Sequence, residues 1–180
     1  MPQVEELISP QALAARVKEL AAQIRRDYQG RSLLVVGVLK GAFVFTADLV
    51  RALDGLDVQV DFIAVSSYGA ATETSGTVRI LKDLDMPVEG RHVLLVEDIL
   101  DTGLTLRYLL DYLSRQRPAS LRVCVLLDKP SRRKVEVPVD YVGFAIPDRF
   151  IVGYGIDWAE QYRHLPYVGA LREEEGADRE

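Results

Sequence analysis

The chain has 180 residues, 48% of them hydrophobic, and a formal net charge of -5. This length allows one well-packed domain and is short for two, and the negative charge argues against a broad basic surface that binds nucleic acid through its phosphates. The start of the chain lacks a basic segment followed by an apolar one, and no apolar run approaches the roughly 20 residues that span a bilayer. We therefore predict a single domain over residues 1–180, in the cytoplasm, with no nucleic-acid or membrane partner.

The first predicted helix begins at Ser9-Pro10, because a serine can cap a helix and proline is favoured at the first helical position. Gly30 marks its end. Between these points, apolar residues recur at helical spacing, at Leu13, Val17, Leu20 and Ile24. The pattern predicts one apolar stripe that packs on a core.

Five apolar runs after this helix predict strands that are covered on both faces. They are SLLVVGVLKG, VQVDFIAVSSY, RHVLLVED, SLRVCVLLD and YVGFAIP. A helical pattern follows the first run, AFVFTADLVRAL, and another follows the third, LTLRYLLDYLSRQ. Strands that alternate with helices predict an α/β fold, with a parallel sheet flanked by helices on both faces.

Two segments lack this pattern. Residues 68–77, YGAATETSGT, are small or polar without apolar periodicity, so we predict a long exposed loop that could close over a site as a lid. Residues 172–180 are a run of charges that contains Gly176, and we predict a disordered tail there.

The third predicted strand leads into VEDILDTG, which places Glu97, Asp98 and Asp101 within five positions. Ligands of an open parallel sheet bind beyond the carboxyl ends of its strands, which is where these acids are expected. The following residues, 101–105, lead into the leucine-striped helix. Its free N–H groups and two threonine hydroxyls predict a phosphate site beside the acids.

Adjacent carboxylates repel one another unless a cation or a hydroxyl-rich ligand satisfies them. Ribose hydroxyls can donate to carboxylates, and Mg²⁺ prefers oxygen ligands. Phosphoribosyl pyrophosphate with magnesium combines a ribose, a metal and a 5-phosphate. In the alternative interpretation Asp98 and Asp101 only cap the helix while Glu97 faces solvent, which leaves the threonines and the glycine without a role.

These motifs resemble those of the purine phosphoribosyltransferases of the type I fold, most closely the bacterial hypoxanthine (hypoxanthine-guanine) enzymes. The resemblance runs from about Ile8 to Leu171 and rests on VGVLKGAFVF, DFIAVSSYG, LLVEDILDTGLTL, LLDKPSRR and VGFAIPDRFIVGYGIDWAEQYRHLPYVG. It implies a purine salvage enzyme that transfers the 5-phosphoribosyl group of phosphoribosyl pyrophosphate to N9 of hypoxanthine or guanine, forming IMP or GMP and pyrophosphate. It also implies a Mg²⁺ cofactor, a homo-oligomer (dimer or tetramer), a flexible loop, and a small carboxy-terminal hood from about residue 145 to 171.

The resemblance also implies roles for individual residues. Asp101 would lie near N7 of the purine and exchange a proton with it. The phosphoribosyl group would be bound by Glu97, Asp98, Asp101, Thr102, Gly103, Leu104 and Thr105. The metal ligands would be Glu97, Asp98 and Asp157.

The remaining implied roles concern the purine, the pyrophosphate and the lid. Lys129 would donate to the purine O6, while Phe150 stacks on the ring and the Ile151 backbone reads its edge. Pyrophosphate would be bound by Lys40, Gly41 and Arg163, and Ser67 and Tyr68 would begin the flexible loop. Without the resemblance, Lys129 would be assigned to a solvated turn, Phe150 and Ile151 to the core, and Asp157 with Arg163 to a surface salt bridge.

Two other functions use the same fold. A regulatory protein that binds RNA and senses nucleotides would need a basic face, and it leaves Lys129 and Phe150 without a purpose. A noncatalytic purine-nucleotide sensor would keep the phosphate loop but could lose Asp101, which is present here.

Overall fold

The structure is a computed structural model that describes residues 2–67 and 78–172. The predicted lid, residues 68–77, and all but the first residue of the predicted tail lie outside the described residues. The strands are β1 (Val4–Ile8), β2 (Ser32–Leu39), β3 (Asp57–Ser67), β4 (Val78–Lys82), β5 (His92–Leu100), β6 (Ser120–Asp128), β7 (Tyr141–Ala145), β8 (Ile151–Val152) and β9 (Val168–Leu171). The α-helices are α1 (Pro10–Asp27), α2 (Phe43–Arg51) and α3 (Leu104–Ser114), and a short 3₁₀ helix covers Pro130–Arg132. None of these helices is both long and apolar enough to cross a membrane, within the part of the chain that is described.

Helix α1 begins as the sequence predicts. The Ser9 Oγ accepts a hydrogen bond from the Ala12 N–H at 3.1 Å, and Pro10 is the first helical residue. The predicted apolar stripe of α1 is buried, at Leu13, Val17, Leu20 and Ile24. The helix therefore lies with this stripe against the central sheet.

The central sheet has six strands in the order β4-β3-β2-β5-β6-β7. All neighbouring pairs are parallel except β3 with β4. Alternate side chains of β2 enter two different cores, Leu33 with helices α1 and α2 on one face and Leu34 with α3 on the other. This arrangement confirms the predicted α/β fold with helices on both faces of a mostly parallel sheet.

The five predicted strands correspond to β2, β3, β5, β6 and β7, and the other four strands were not predicted. Strand β4 runs antiparallel to β3 at one edge of the central sheet, so the sheet is not wholly parallel. Strand β1 pairs with β9, which pairs with β8, in a second sheet of order β1-β9-β8. Strands β1 and β4 have five residues each, two of them charged, and β8 and β9 have only two and four residues. None of the four therefore has the long continuous apolar run that marks a buried parallel strand.

Helix α2 offers a stability test, because two phenylalanines two positions apart differ in burial. Phe45 is fully buried, whereas Phe43 is 42% exposed. We expect Phe45→Ala to lower the free energy of unfolding by about 3 to 5 kcal/mol, since it removes apolar contacts and leaves a cavity. Phe43→Ala is the matched control and should change it by about 0.5 kcal/mol or less. Urea denaturation of both variants measures the difference, and equal losses would contradict this account of the core.

Candidate active site

A crevice opens between β2 and β5 at the carboxyl ends of the parallel strands. Their pairing ends at Gly37 and Val96, whereas β5 continues to pair with β6 as far as Leu100 and Asp128. The last residues of β5 therefore have a neighbouring strand on one side only. The strand order reverses at this point, which is the place where open α/β sheets bind ligands.

The two adjacent acids lie inside β5 and not beyond its end, which corrects the sequence prediction. The strand reaches Leu100 because its pairing with β6 continues past Glu97. Glu97 is buried, and its burial together with the neighbouring Asp98 carboxylate holds its pKa well above the usual range. The Glu97 Oε1 accepts from the Asp98 N–H at 3.2 Å, and β5 is unpaired on the β2 side at this point.

Asp98 packs directly against Gly41 across the crevice. A methyl group added to Gly41 would overlap the Asp98 Oδ2 atom and lie 2.8 Å from its Cγ. The carboxylate is also fixed from its own strand, because its Oδ1 accepts from the Ile99 N–H at 2.7 Å. The loop after β2 and the acid pair of β5 thus form opposite walls of one site.

The predicted phosphate loop ends at the amino terminus of α3. Gly103 precedes the helix with φ of 89°, a left-handed conformation that suits glycine. The Thr102 carbonyl accepts from the Lys134 N–H at 2.8 Å and from the Val135 N–H at 3.2 Å. The first N–H groups of α3 have no carbonyl partner within the helix. The Leu104 N–H donates to the Thr102 Oγ1 at 3.3 Å, so the N–H groups that follow it are the ones open to an anion.

Two arginines hold Asp101, and sequence reasoning gave neither of them a role. The Arg132 Nε donates to the Asp101 Oδ1 at 2.8 Å, and the Arg133 Nε donates to the Asp101 carbonyl at 3.2 Å. Arg133 also contacts the Asp128 carboxylate. Both arginines lie in the basic turn KPSRRK, and the signal that could have identified them is its position directly after a strand that borders the acid-bearing one.

The predicted purine residues lie on two different segments. Lys129 follows β6, is 8% exposed, and donates its N–H to the Leu100 carbonyl at 2.9 Å, which places its backbone at the end of β5. Phe150 immediately precedes β8 and is 56% exposed, while Ile151 is buried. The Phe150 ring lines a cleft of about 550 Å³ together with Arg149, Leu171 and Arg172. Lys129 does not line this cleft, so the contact of both residues with one base stays a prediction.

The predicted pyrophosphate residues meet around a glutamate that sequence reasoning missed. The Glu160 carboxylate lies 3.0 Å from the Lys40 Nζ and 3.1 Å from the Arg163 Nη2. Asp157 joins the same cluster, with its Oδ1 at 3.4 Å from the Arg163 Nη2. The peptide bond between Leu39 and Lys40 is cis. The signal for Glu160 was its position three residues before Arg163.

Gly155 brings the segment after β8 against the loop after β2. It has φ of 94°, and a side chain there would approach the Gly41 carbonyl to 2.9 Å. The Arg163 Nη1 donates to the Gly155 carbonyl at 2.8 Å, and the Gly155 N–H donates to the Arg163 carbonyl at 2.9 Å. These contacts set the position of the Arg163 guanidinium beside the crevice.

Of the two residues predicted to begin the flexible loop, the structure describes only Ser67. Ser67 is the last residue of β3, where it pairs with Val78 of β4, and Tyr68 lies outside the described residues. Within residues 2–67 and 78–172, no three His, Cys, Asp or Glu side chains are grouped closely enough to hold a metal ion by themselves.

Comparison with known proteins gives concordant results. The phosphoribosyl transferase domain family matches residues 3–158. The hypoxanthine phosphoribosyltransferase of Haemophilus influenzae is 53% identical over 175 residues, which cover 96% of this chain and 97% of that protein. The hypoxanthine-guanine phosphoribosyltransferase of Aquifex aeolicus is 54% identical over 163 residues, or 90% of this chain and 91% of the other. A crystal structure of a hypoxanthine-guanine phosphoribosyltransferase from Bacillus anthracis superposes with a TM-score of 0.90 at 52% identity, covering 96% of this chain and 100% of that one.

Proposed function

The chain belongs to the phosphoribosyl transferase family, and on that premise we propose a purine salvage reaction and a role for each residue of the crevice. The enzyme transfers the 5-phosphoribosyl group of phosphoribosyl pyrophosphate to N9 of hypoxanthine or guanine, which forms IMP or GMP and releases pyrophosphate. The observation that carries the assignment of residues is the crevice itself, where Asp98 of β5 packs against Gly41 and the chain continues from β5 into the amino terminus of α3.

The acid pair fits a magnesium ion. No lysine or arginine among the described residues makes an ion pair with Glu97 or Asp98. Burial, together with the neighbouring Asp98 carboxylate, raises the pKa of Glu97. Magnesium in nucleotide sites is commonly held by one or two carboxylates, with water and substrate oxygens as the other ligands. We assign Glu97 and Asp98 to the ribose side of such an ion and Asp157 to the pyrophosphate side. The ion would supply positive charge that neutralises the pyrophosphate.

Asp101 is the proposed catalytic residue. A carboxylate beside N7 of the purine can take the proton from N7 as the bond from N9 to C1′ forms, and return it in the reverse direction. The loop from Asp101 to Thr105 would bind the 5-phosphate through backbone N–H groups and the two threonine hydroxyls. The ribose is thereby fixed between its phosphate and the acids of β5, which aligns C1′ with the incoming base.

Different cations would bind the base and the leaving group. The Lys129 ammonium has only donors, so it suits the O6 of hypoxanthine or guanine and leaves the 6-amino group of adenine without an acceptor. Phe150, with its exposed ring, would stack on the purine, and the Ile151 backbone would contact its edge. Lys40, the Gly41 backbone and Arg163 would bind the pyrophosphate as negative charge grows on it.

The chain as a whole is proposed to be one catalytic domain that forms a homo-oligomer. Strands β8 and β9 fall within the proposed hood, about residues 145–171, and pair with each other, and β9 also pairs with β1. Sedimentation of the purified protein distinguishes a dimer or tetramer from a monomer.

A steady-state assay tests the reaction. The purified protein is incubated with phosphoribosyl pyrophosphate and Mg²⁺ and with hypoxanthine, guanine, xanthine or adenine in turn. Turnover of hypoxanthine or guanine, and not of adenine, is the expected result. Tight binding of the donor without turnover of any base would instead indicate a nucleotide sensor.

The base selectivity depends on Lys129 and gives a further prediction. We expect Lys129→Ala to lower kcat/KM for hypoxanthine by about 10- to 100-fold, because the variant loses a hydrogen bond from a charged donor worth roughly 1.5 to 3 kcal/mol. Lys134→Ala, an exposed lysine of the same basic turn, is the matched control and should behave as the wild type. The inhibition constant of adenine is measured in parallel. If the variant binds adenine more weakly by the same factor by which its kcat/KM for hypoxanthine falls, Lys129 does not recognise O6.

A further inference from the structure

The Glu160 carboxylate occupies the position between the two cations that we assign to pyrophosphate. It lies 3.0 Å from the Lys40 Nζ and 3.1 Å from the Arg163 Nη2. Lys40 and Glu160 are 120 residues apart in sequence, so this contact joins the loop after β2 to the segment after β8. An anion of the protein thus neutralises the cations that the leaving group of the substrate needs.

The backbone that carries Glu160 has a conformation that is unfavourable for residues other than glycine. Trp158 and Gln161 exchange two backbone hydrogen bonds, of 3.0 and 2.9 Å, which close a tight turn. Ala159 and Glu160 are the two central residues, with φ of 50° and 63°. Turns with two such values strongly favour glycine, asparagine or aspartate. Strained non-glycine residues persist where the surrounding structure fixes them, and they are frequent at ligand sites.

Three contacts fix this turn in place. The Asp157 Oδ2 accepts from the Glu160 N–H at 2.8 Å, and the two cations hold the side chain. The side chain of Glu160 is nevertheless 65% exposed and that of Lys40 67% exposed, whereas that of Arg163 is 19% exposed. An exposed carboxylate can be displaced, because exposed ion pairs are weak. Its negative charge remains on the turn after displacement.

We propose that Glu160 determines the affinity of the enzyme for pyrophosphate by competing with it for Lys40 and Arg163. This inference rests on the proposed function, since it takes the pyrophosphate site from there. Binding of the donor would exchange the Glu160 carboxylate for pyrophosphate oxygens, and departure of the product would be assisted when the carboxylate returns. Glu160 would therefore weaken donor binding in order to hasten release of the product, which limits turnover in many enzymes.

The test compares Glu160→Gln with a matched control, Glu19→Gln. Glu19 lies on α1 and pairs with Arg16 three residues away, and its side chain is 63% exposed, so the control removes the same charge in a similar setting. Calorimetry gives the Kd of inorganic pyrophosphate in the presence of Mg²⁺, and steady-state assays give KM for phosphoribosyl pyrophosphate and for hypoxanthine. We expect Glu160→Gln to bind pyrophosphate about threefold more tightly or better. KM for phosphoribosyl pyrophosphate should fall together with the Kd of pyrophosphate, whereas KM for hypoxanthine should stay constant. The control variant should match the wild type in all three constants.

A second variant, Glu160→Asp, keeps the charge but shortens the side chain. It should bind pyrophosphate with an affinity between those of the wild type and Glu160→Gln. Unchanged or weaker pyrophosphate binding by Glu160→Gln would overturn the inference and would make Glu160 a residue that merely orients the two cations. If Glu160→Gln tightens pyrophosphate binding while the wild type turns over no base, the competition stands and the proposed reaction fails.

Discussion

Asp101→Asn is expected to lower the rate of phosphoribosyl transfer by about 10²- to 10⁴-fold, the range that a positioned general acid or base contributes. An asparagine has nearly the same shape as the aspartate, so it can still accept the hydrogen bond from the Arg132 Nε. It cannot take a proton from N7. The loss should therefore appear in the chemical step, measured as a single-turnover rate with enzyme in excess over donor and hypoxanthine.

The matched control is Asp111→Asn, at an exposed position on the helix that follows the phosphate loop. It should leave the single-turnover rate unchanged. The binding of phosphoribosyl pyrophosphate to Asp101→Asn should remain within a few-fold of the wild-type value, because the backbone N–H groups of the loop are intact. An Asp101→Asn enzyme that keeps at least a third of the wild-type rate would remove Asp101 from the mechanism.

Gly41→Ala has the second-largest expected effect, a fall of about 100-fold in kcat/KM for phosphoribosyl pyrophosphate. The added methyl group would overlap the Asp98 carboxylate, so either the loop after β2 or the acid must move. A shift of that kind separates the two walls of the crevice, and displacements near 1 Å at reacting groups are enough for such losses. Initial rates at varied donor concentration measure it.

Two further variants show whether this loss acts through Asp98. Gly90→Ala places a methyl group in open space at a residue with φ of 73°, so it introduces backbone strain away from the crevice and should affect stability alone. The double variant Gly41→Ala with Asp98→Ala should be no worse than Asp98→Ala, because the clash has been removed. Additive losses in this cycle would mean that Gly41 contributes independently of Asp98.

Capping residues and apolar periodicity were sufficient to predict those elements whose structure depends on their own sequence. Ser9 and Pro10 predicted the start of α1, and the leucines of α3 predicted its buried face. The apolar run SLRVCVLLD coincides with β6 from its first residue to its last. The glycine of VEDILDTG directly precedes α3, where the sequence predicts a phosphate site, and the binding of phosphate there stays a prediction.

Features that depend on distant partners could not be predicted in the same way. Strand β1 exists because β9 pairs with it from the other end of the described chain, and β5 extends to Leu100 because β6 lies beside it. The role of Glu160 depends on Lys40, which is far away in sequence, and on a turn whose residues, Ala159 and Glu160, carry no turn signal. The pairing of Arg132 with Asp101 likewise requires two loops to meet.

The pairing of β1 with β9 also affects how the enzyme is made. A ribosome synthesises β1 before any other described element and β9 after all of them. The backbone N–H and carbonyl groups of β1 that pair with β9 therefore lack this partner during most of translation. The small sheet that carries Ile151 can close only when both strands have emerged. The segment that carries Phe150 and Ile151, which we propose to bind the base, is therefore fixed last, and an unfinished nascent chain would hold a nearly complete central sheet without the small one.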